Sequence, residues 1–187
     1  QVTTESSGSL LQGIAGGSNL ASYTFDSAAF GGLFDLVATA ENDTITISST
    51  DLGVGDNVMH SGDVLQFEVQ NTQAGDDAQV AIDVMNFTLS ATGGIKSTDI
   101  ARFEVTYSDG SKVSSSTVMG TQLGGGGTAY YSISVDVDDT KDATNITLAG
   151  DPGVSFKIVG IELNYVTTQF PDDYSLQFST TATDGDG

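Results

Sequence analysis

The chain has 187 residues, enough for one substantial domain, and 38% of them are apolar, which suits an all-β fold with one wetted face per sheet. Its 25 Asp and Glu against five Lys and Arg leave a formal charge of −20, which excludes nucleic-acid binding through the chain's own surface and disfavours anionic membranes. With no Cys and a single His, there is neither a disulfide framework nor the ligand set for zinc.

Residues 1–19 are small, polar and Gly-rich, with one short strand expected around Leu10–Ile14. Alternation in Ala21–Phe25 predicts a strand. Ser27–Ala38 reads either as one short helix or as two extended pieces bent at Gly31-Gly32, and the glycine pair favours the second. Ile45 and Ile47 share one face of Asp43–Ser48, and Leu65, Phe67 and Val69 share one face of Val64–Val69. Gln79–Leu89 is the longest apolar stretch. Val80, Ile82 and Val84 lie on one face, and Phe87 and Leu89 continue after a one-residue phase shift, the signature of a β-bulge.

Ile100–Tyr107 and Lys112–Ser114 flank an Asp-Gly pair at Asp109-Gly110, which predicts a hairpin. Gly124–Gly127 predicts a tip, because four glycines are costly inside a strand. Alternation returns in Tyr130–Val137 and Asn145–Leu148, on either side of an acidic break at Asp138–Asp142. Asp151-Pro152-Gly153 turns into Val154–Tyr165, and Tyr174–Ser179 is the last predicted strand. About ten short strands with no helical period predict an all-β, two-sheet β-sandwich of jelly-roll or immunoglobulin-like type, with residues 1–187 as a single module. No apolar run approaches a membrane span.

The candidate site lies between the two central strands. Asp51, Asp56, Asn57 and Asp63 supply hard oxygen ligands in a stretch where Gly53, Gly55 and Gly62 permit backbone angles that other residues avoid. That composition predicts bound Ca2+. A second acidic cluster holds Asp136, Asp138 and Asp139. If its strand continues to Asp138, period 2 aims Asp136 and Asp138 to one side, where like charges need a cation between them or raised pKa values. The same residues also read as a solvated hairpin tip. Asp184 and Asp186 form a third acidic pair.

Catalysis is not expected. His60 and Ser61 are adjacent, which does not make a nucleophile and base, and no G-x-S-x-G elbow is present. A glycosidase built on paired carboxylates would want a Trp-lined cleft, and the chain has no Trp. Phe67, Phe87, Phe103 and Phe156 fall on apolar faces and are assigned to the core. Tyr130 and Tyr131 are strand neighbours and cannot both face inward, so one is exposed as a stacking surface for a sugar or a peptide side chain. Asp109, in the hairpin turn, completes the candidate ligand contacts.

The ending Tyr174–Gly187, with Thr181-Ala182-Thr183-Asp184-Gly185-Asp186-Gly187, resembles the closing strand and calcium linker of modules in giant type I-secreted RTX adhesins. Gly53–Val69 and Phe156–Leu163 are similar to patterns common in such bacterial surface sandwiches. The nonapeptide repeats that name the family are absent, which points to an internal module. The resemblance implies an extracellular, Gram-negative surface protein folded by environmental calcium. Residues 180–187 would link to a following module, with Asp184 and Asp186 in a calcium site shared with it. Length and irregular loops favour a monomeric ligand-binding module over a repetitive extender.

The function expected on this footing is calcium-dependent recognition of peptide ends on a host or partner-cell surface through a Ca2+–carboxylate contact. Asp56, Asn57 and Asp63 would hold one ion, and Asp136, Asp138 and Asp139 another. A calcium-dependent lectin module for glycans and a non-binding extender of the stalk are the alternatives.

Overall fold

The computed structural model describes residues 2–71, 78–92, 100–118, 128–138, 140–150 and 155–169. They form thirteen strands and one turn of 3₁₀ helix. Seven strands make one sheet: β1 (Val2–Ser6), β2 (Gly17–Leu20), β5 (Ile45–Ile47), β6 (Leu52–Val54), β8 (Ala78–Thr92), β11 (Thr128–Asp136) and β13 (Lys157–Gln169). The other six make a second sheet: β3 (Ser22–Phe25), β4 (Phe34–Ala40), β7 (Val64–Asn71), β9 (Ile100–Tyr107), β10 (Lys112–Val118) and β12 (Ala143–Gly150). Both sheets are antiparallel and pack as a sandwich. Most connections cross from one sheet to the other, and β3–β4, β5–β6 and β9–β10 are the hairpins that stay within one. Among the described residues no helix is long and apolar enough to cross a membrane.

Alternation builds the core directly. In β4, Phe34, Leu36 and Ala38 are buried while Asp35, Val37 and Thr39 are only partly covered. In β12, Ile146 and Leu148 point in and Asn145, Thr147 and Ala149 point out. Phe67 of one sheet meets Phe87 of the other with ring centroids 5.6 Å apart, so the two layers touch through aromatics. Burying each such ring stabilises the fold by about 1.5–3 kcal/mol.

The expected bulge is present and lies earlier than the pattern suggested. Along β13, Asn164 faces Val84 and Tyr165 faces Ile82, which leaves Asp83 as the extra residue of β8. Ile82 and Met85 are therefore both buried, and Val84, expected on the core face, is only partly covered. The bulged residue's carbonyl is not wasted: it accepts the Val137 N–H at 2.8 Å.

Other expectations need correction. No strand covers Leu10–Ile14. That segment turns, with Leu10 and Leu11 buried and the Leu10 N–H bonded to the Ile161 carbonyl at 2.8 Å. The N-terminal strands are β1 and β2 instead, and β1 covers an edge of β13 that β6 leaves open after Ile158. Ser27–Phe30 is 3₁₀ rather than extended, because Asp26 caps it by accepting the Ala28 N–H, and the chain bends at Gly31-Gly32 as expected. Phe103 is half-buried, packed against the core from its margin. The expected tip Gly124–Gly127, the turn Asp151–Gly153, the strand Tyr174–Ser179 and the linker 180–187 lie outside the described residues.

Candidate functional site

The Asp/Gly stretch folds as a short strand followed by two tight turns. Gly53 sits within β6 and is needed for space: a Cβ there would fall 2.3 Å from the Val58 nitrogen. Gly55 and Gly62, at φ +72° and +88°, supply the unusual backbone angles. Gly53 has no positive φ, so close approach is its role and not the conformational freedom expected of it.

Each carboxylate of the stretch is engaged in closing its own turn. Asp51 accepts the Ser48 hydroxyl at 2.6 Å, the Asn57 amide at 3.2 Å and the Lys157 ammonium at 3.3 Å. Asp56 accepts the Val58 N–H at 2.8 Å and lies 3.4 Å from His60 Nε2. Its carboxyl is held below the usual range, first by that Val58 N–H. Asp63 accepts the His60 N–H at 2.6 Å. The fold thus joins Asp51 to Asn57, and Asp56 to Asp63 through His60. It does not converge all four expected ligands on one point. Among the described residues, no three His, Asp or Glu side chains gather closely enough to hold an ion.

The second cluster is also split. Strand β11 ends at Asp136, and Asp138 lies in the following turn, where it accepts the Thr140 N–H at 3.0 Å. The strand therefore stops short of Asp138, although the alternation runs on, with Asp136 and Asp138 exposed on either side of buried Val137. Lys141 sits beside the neighbouring hairpin instead. Its ammonium is 3.5 Å from Asp109, donates to the Ser111 hydroxyl at 3.1 Å and lies 5.2 Å over the Tyr107 ring. Asp109 and Asp138 are both held below the usual carboxylate range, the first by the Ser111 hydroxyl and N–H, the second by those of Thr140. Lys141 adds a smaller push in the same direction to each. Asp139, Asp184 and Asp186 lie outside the described residues.

Of the two tyrosines, Tyr131 is buried at 7% exposure and Tyr130 stands out at 42%. Tyr130 is on β11, an edge strand of the seven-stranded sheet. Asp109 is in the β9–β10 turn of the other sheet, occupied with Ser111 and Lys141.

One feature was missed in the sequence. The outer face of the six-stranded sheet carries a groove of about 550 Å³. One row of side-chain positions crosses the sheet there as Ser114, Glu104, Thr147, Gln66 and Thr39, one from each of β10, β9, β12, β7 and β4, and the first four line the groove. The next row runs Arg102, Ala149 and Val64, and Glu41 joins it by donating its N–H to the Val64 carbonyl at 3.0 Å. Glu104 accepts from Lys112 at 2.7 Å and from Ser114 at 3.0 Å, and the Lys112 bond first of all holds its carboxyl below the usual range.

The Asp/Gly stretch leads into the groove's lining at Val64 and packs against the end of β12. Asp63 directly precedes Val64, and the Asp63 carbonyl accepts the Gly150 N–H at 3.1 Å. A Cβ on Gly150 would stand 2.6 Å from the His60 carbonyl, so the turn and the end of β12 pack backbone to backbone. The signal available in sequence was the run of polar outward positions in β7, β9 and β12. It could not be read as a site, because a groove appears only once register sets those strands side by side.

No protein-family model matches the chain, and no curated protein matches it. Among solved structures, the enzymatically active domain of bacteriophage CBA120 tailspike protein 4 is similar at 13% identity and a TM-score of 0.24, over 90% of this chain and 19% of that one. The chain thus spans about a fifth of that structure, and a likeness of this size carries no argument about fold or function.

Proposed function

We propose that the chain is a non-catalytic, ligand-binding module of a large exported bacterial surface adhesin, working outside the cell beside neighbouring modules. The observation that supports this reading best is the groove on the outer face of the six-stranded sheet. It offers hydroxyl, amide, carboxylate and guanidinium groups on a surface fixed by five hydrogen-bonded strands. Peptide ends and glycans are the two ligand classes of this reading.

Calcium enters the proposal through charge and not through a ready-made cage. A chain at −20 gains from any bound divalent cation that relieves self-repulsion. Asp51, Asp109, Asp56, Asp63 and Asp138 are already engaged by Lys157, Lys141 and backbone N–H groups. An ion would draw ligands from Asp56, Asn57, Asp63 or Asp138 by displacing such bonds, or from Asp136, Asp139, Asp184 and Asp186.

The test is thermal unfolding in calcium and then in excess chelator, followed by binding to free-carboxylate peptides and to glycans in calcium buffer. The expected result is a fall of the midpoint on chelation, by mass-action linkage, and binding to one of the two panels. An unchanged midpoint removes calcium from the reading. A midpoint that falls with no binding to either panel assigns the chain to the stalk as a spacer.

A further inference from the structure

We infer that the groove across β7, β12 and β9 takes a neutral oligosaccharide, an inference that rests on the binding-module reading. Three observations choose this occupant over a peptide or a charged ligand.

The first concerns hydrogen bonding. Strands β9, β12 and β7 are each paired on both sides, so their N–H and C=O groups are consumed by the sheet. A peptide bound as an added strand needs backbone pairing at a free edge, and this floor offers none. What it offers is side chains alone.

The second concerns charge. Glu41, Glu104 and Arg102 line the groove. Glu104 is already paired with Lys112 at 2.7 Å and Arg102 is engaged within the chain, so an ionic ligand of either sign must displace such a partner or meet a like charge there. The field of the whole chain, at −20, further opposes an anion. A ligand that is polar but uncharged is opposed by neither.

The third concerns spacing and chemistry. The Ser114, Glu104, Thr147 and Gln66 positions follow one another at the strand spacing of ~4.8 Å. In this row the Ser114 and Thr147 hydroxyls donate to Glu104 and keep their acceptor lone pairs, beside a carboxylate and an amide. A saccharide edge carries hydroxyls that both donate and accept, which such a row can meet in either sense. The adjacent Ala149 and Val64 positions supply a low apolar floor for the C–H face of a sugar ring. From Glu41 to Arg102 the row spans three strand spacings, roughly 14 Å, which has room for more than one ring. The groove volume falls in the range of small-ligand sites.

The experiment prints neutral oligosaccharides, their sialylated counterparts and free-carboxylate peptides on one array and probes them with the full chain in calcium buffer. Binding to neutral glycans is expected, with weaker signal on the sialylated ones. Gln66→Ala and Thr147→Val should each weaken the best glycan by about tenfold, the loss of one well-made hydrogen bond. Ala149→Trp should abolish binding by filling the groove, with its thermal midpoint measured alongside. Should that variant not fold, the two polar truncations decide the matter. Glycan binding that all variants retain unchanged overturns the groove assignment, and so does binding to peptides alone or to sialylated glycans in preference. In each of those outcomes the binding-module reading survives. Silence on every panel removes both.

Discussion

Lys141 holds its ammonium 3.5 Å from the Asp109 carboxylate, with the Tyr107 ring 5.2 Å beneath it, so this acidic end of the sandwich carries a cation of its own. The same device recurs where Lys157 meets Asp51 at 3.3 Å. The sequence reads Asp51 as a metal ligand and Asp109 as a ligand contact. The fold gives each a lysine, Lys157 from a distant strand and Lys141 from within the second acidic cluster.

If Lys141 acts as that counter-ion, Lys141→Met should raise the pKa of both Asp109 and Asp138 toward the ordinary carboxylate value. Ser111→Ala should raise Asp109 further, because the Ser111 hydroxyl is the larger cause of its depression. Carboxyl-carbon NMR titration reads each site separately. Two carboxyls unmoved by the loss of Lys141 would leave the ammonium as a bystander.

Asp51 is well enclosed, with its side chain 14% exposed and three donors upon it. Asp51→Ala strands the Ser48 hydroxyl, the Asn57 amide and the Lys157 ammonium. We expect a loss of about 1–3 kcal/mol from partly buried donors left unpaired, read as a shift in urea midpoint. Asp51→Asn should cost less, since it keeps an acceptor for Ser48.

Gly53→Ala tests a space that admits no side chain. The added carbon would lie 2.3 Å from backbone, which cannot yield as a flexible side chain can. The expected loss is about 1–3 kcal/mol or more, as in overpacked cores. Gly62→Ala has open space around it and only a positive φ to strain, so about 1 kcal/mol is expected there. Equal losses at the two sites would contradict the close-packed turn.

Acid should unfold the protein through identifiable groups. Asp56, Glu104, Asp109 and Asp138 all have depressed folded pKa values, so each binds its proton less tightly folded than unfolded. Their contribution is complete above the unfolded value of about 4 and is lost as pH falls through the lower folded values. Relief of self-repulsion acts the other way, and physiological salt weakens it by screening beyond about 8 Å. The midpoint should hold between about pH 7 and 5 and then fall below about pH 4. A variant with Asp109→Asn and Asp138→Asn should fall less steeply. A midpoint that climbs all the way into acid would mean that repulsion governs. Tyr165 works on the alkaline side: burial raises its pKa, so its contribution is present below about pH 10 and declines above it.

The two-sheet fold was legible because alternation is a local signal, and Phe34, Leu36 and Ala38 or Ile146 and Leu148 announce their inward face within a few residues. The hairpin at Asp109-Gly110 was legible for the same reason. Leu10–Ile14 misled because Leu10 and Leu11 are buried by a turn that leans on Ile161, a partner about 150 residues away and invisible to any local pattern. The bulge at Asp83 was signalled by the phase shift, but its place depends on which β13 residue stands opposite. The candidate site was the least legible part. Asp and Gly in succession suit both an ion's shell and a self-closing turn, and the bonds to Lys157, Val58 and the His60 N–H depend on contacts that composition does not reveal. The groove was hidden altogether, since Gln66, Glu104 and Thr147 become neighbours solely through strand order.

The pairing of β1 with β13 also sets how the fold bears load. Val2 stands opposite Thr168, and Ser6 opposite Asn164, so a force drawn between residues 2 and 169 acts at one end of that ladder and across it. Such a pull peels the bridges singly instead of shearing them together. The first strand should come away at low force, pausing near Glu5, where the Tyr165 hydroxyl donates to its carboxylate at 3.2 Å. Single-molecule stretching between those two positions should show a small early extension before the sandwich itself yields. A single abrupt rupture would mean that β1 is held by more than its ladder. On this geometry the protein has a soft outer strand that lengthens under tension while the two packed sheets stay closed.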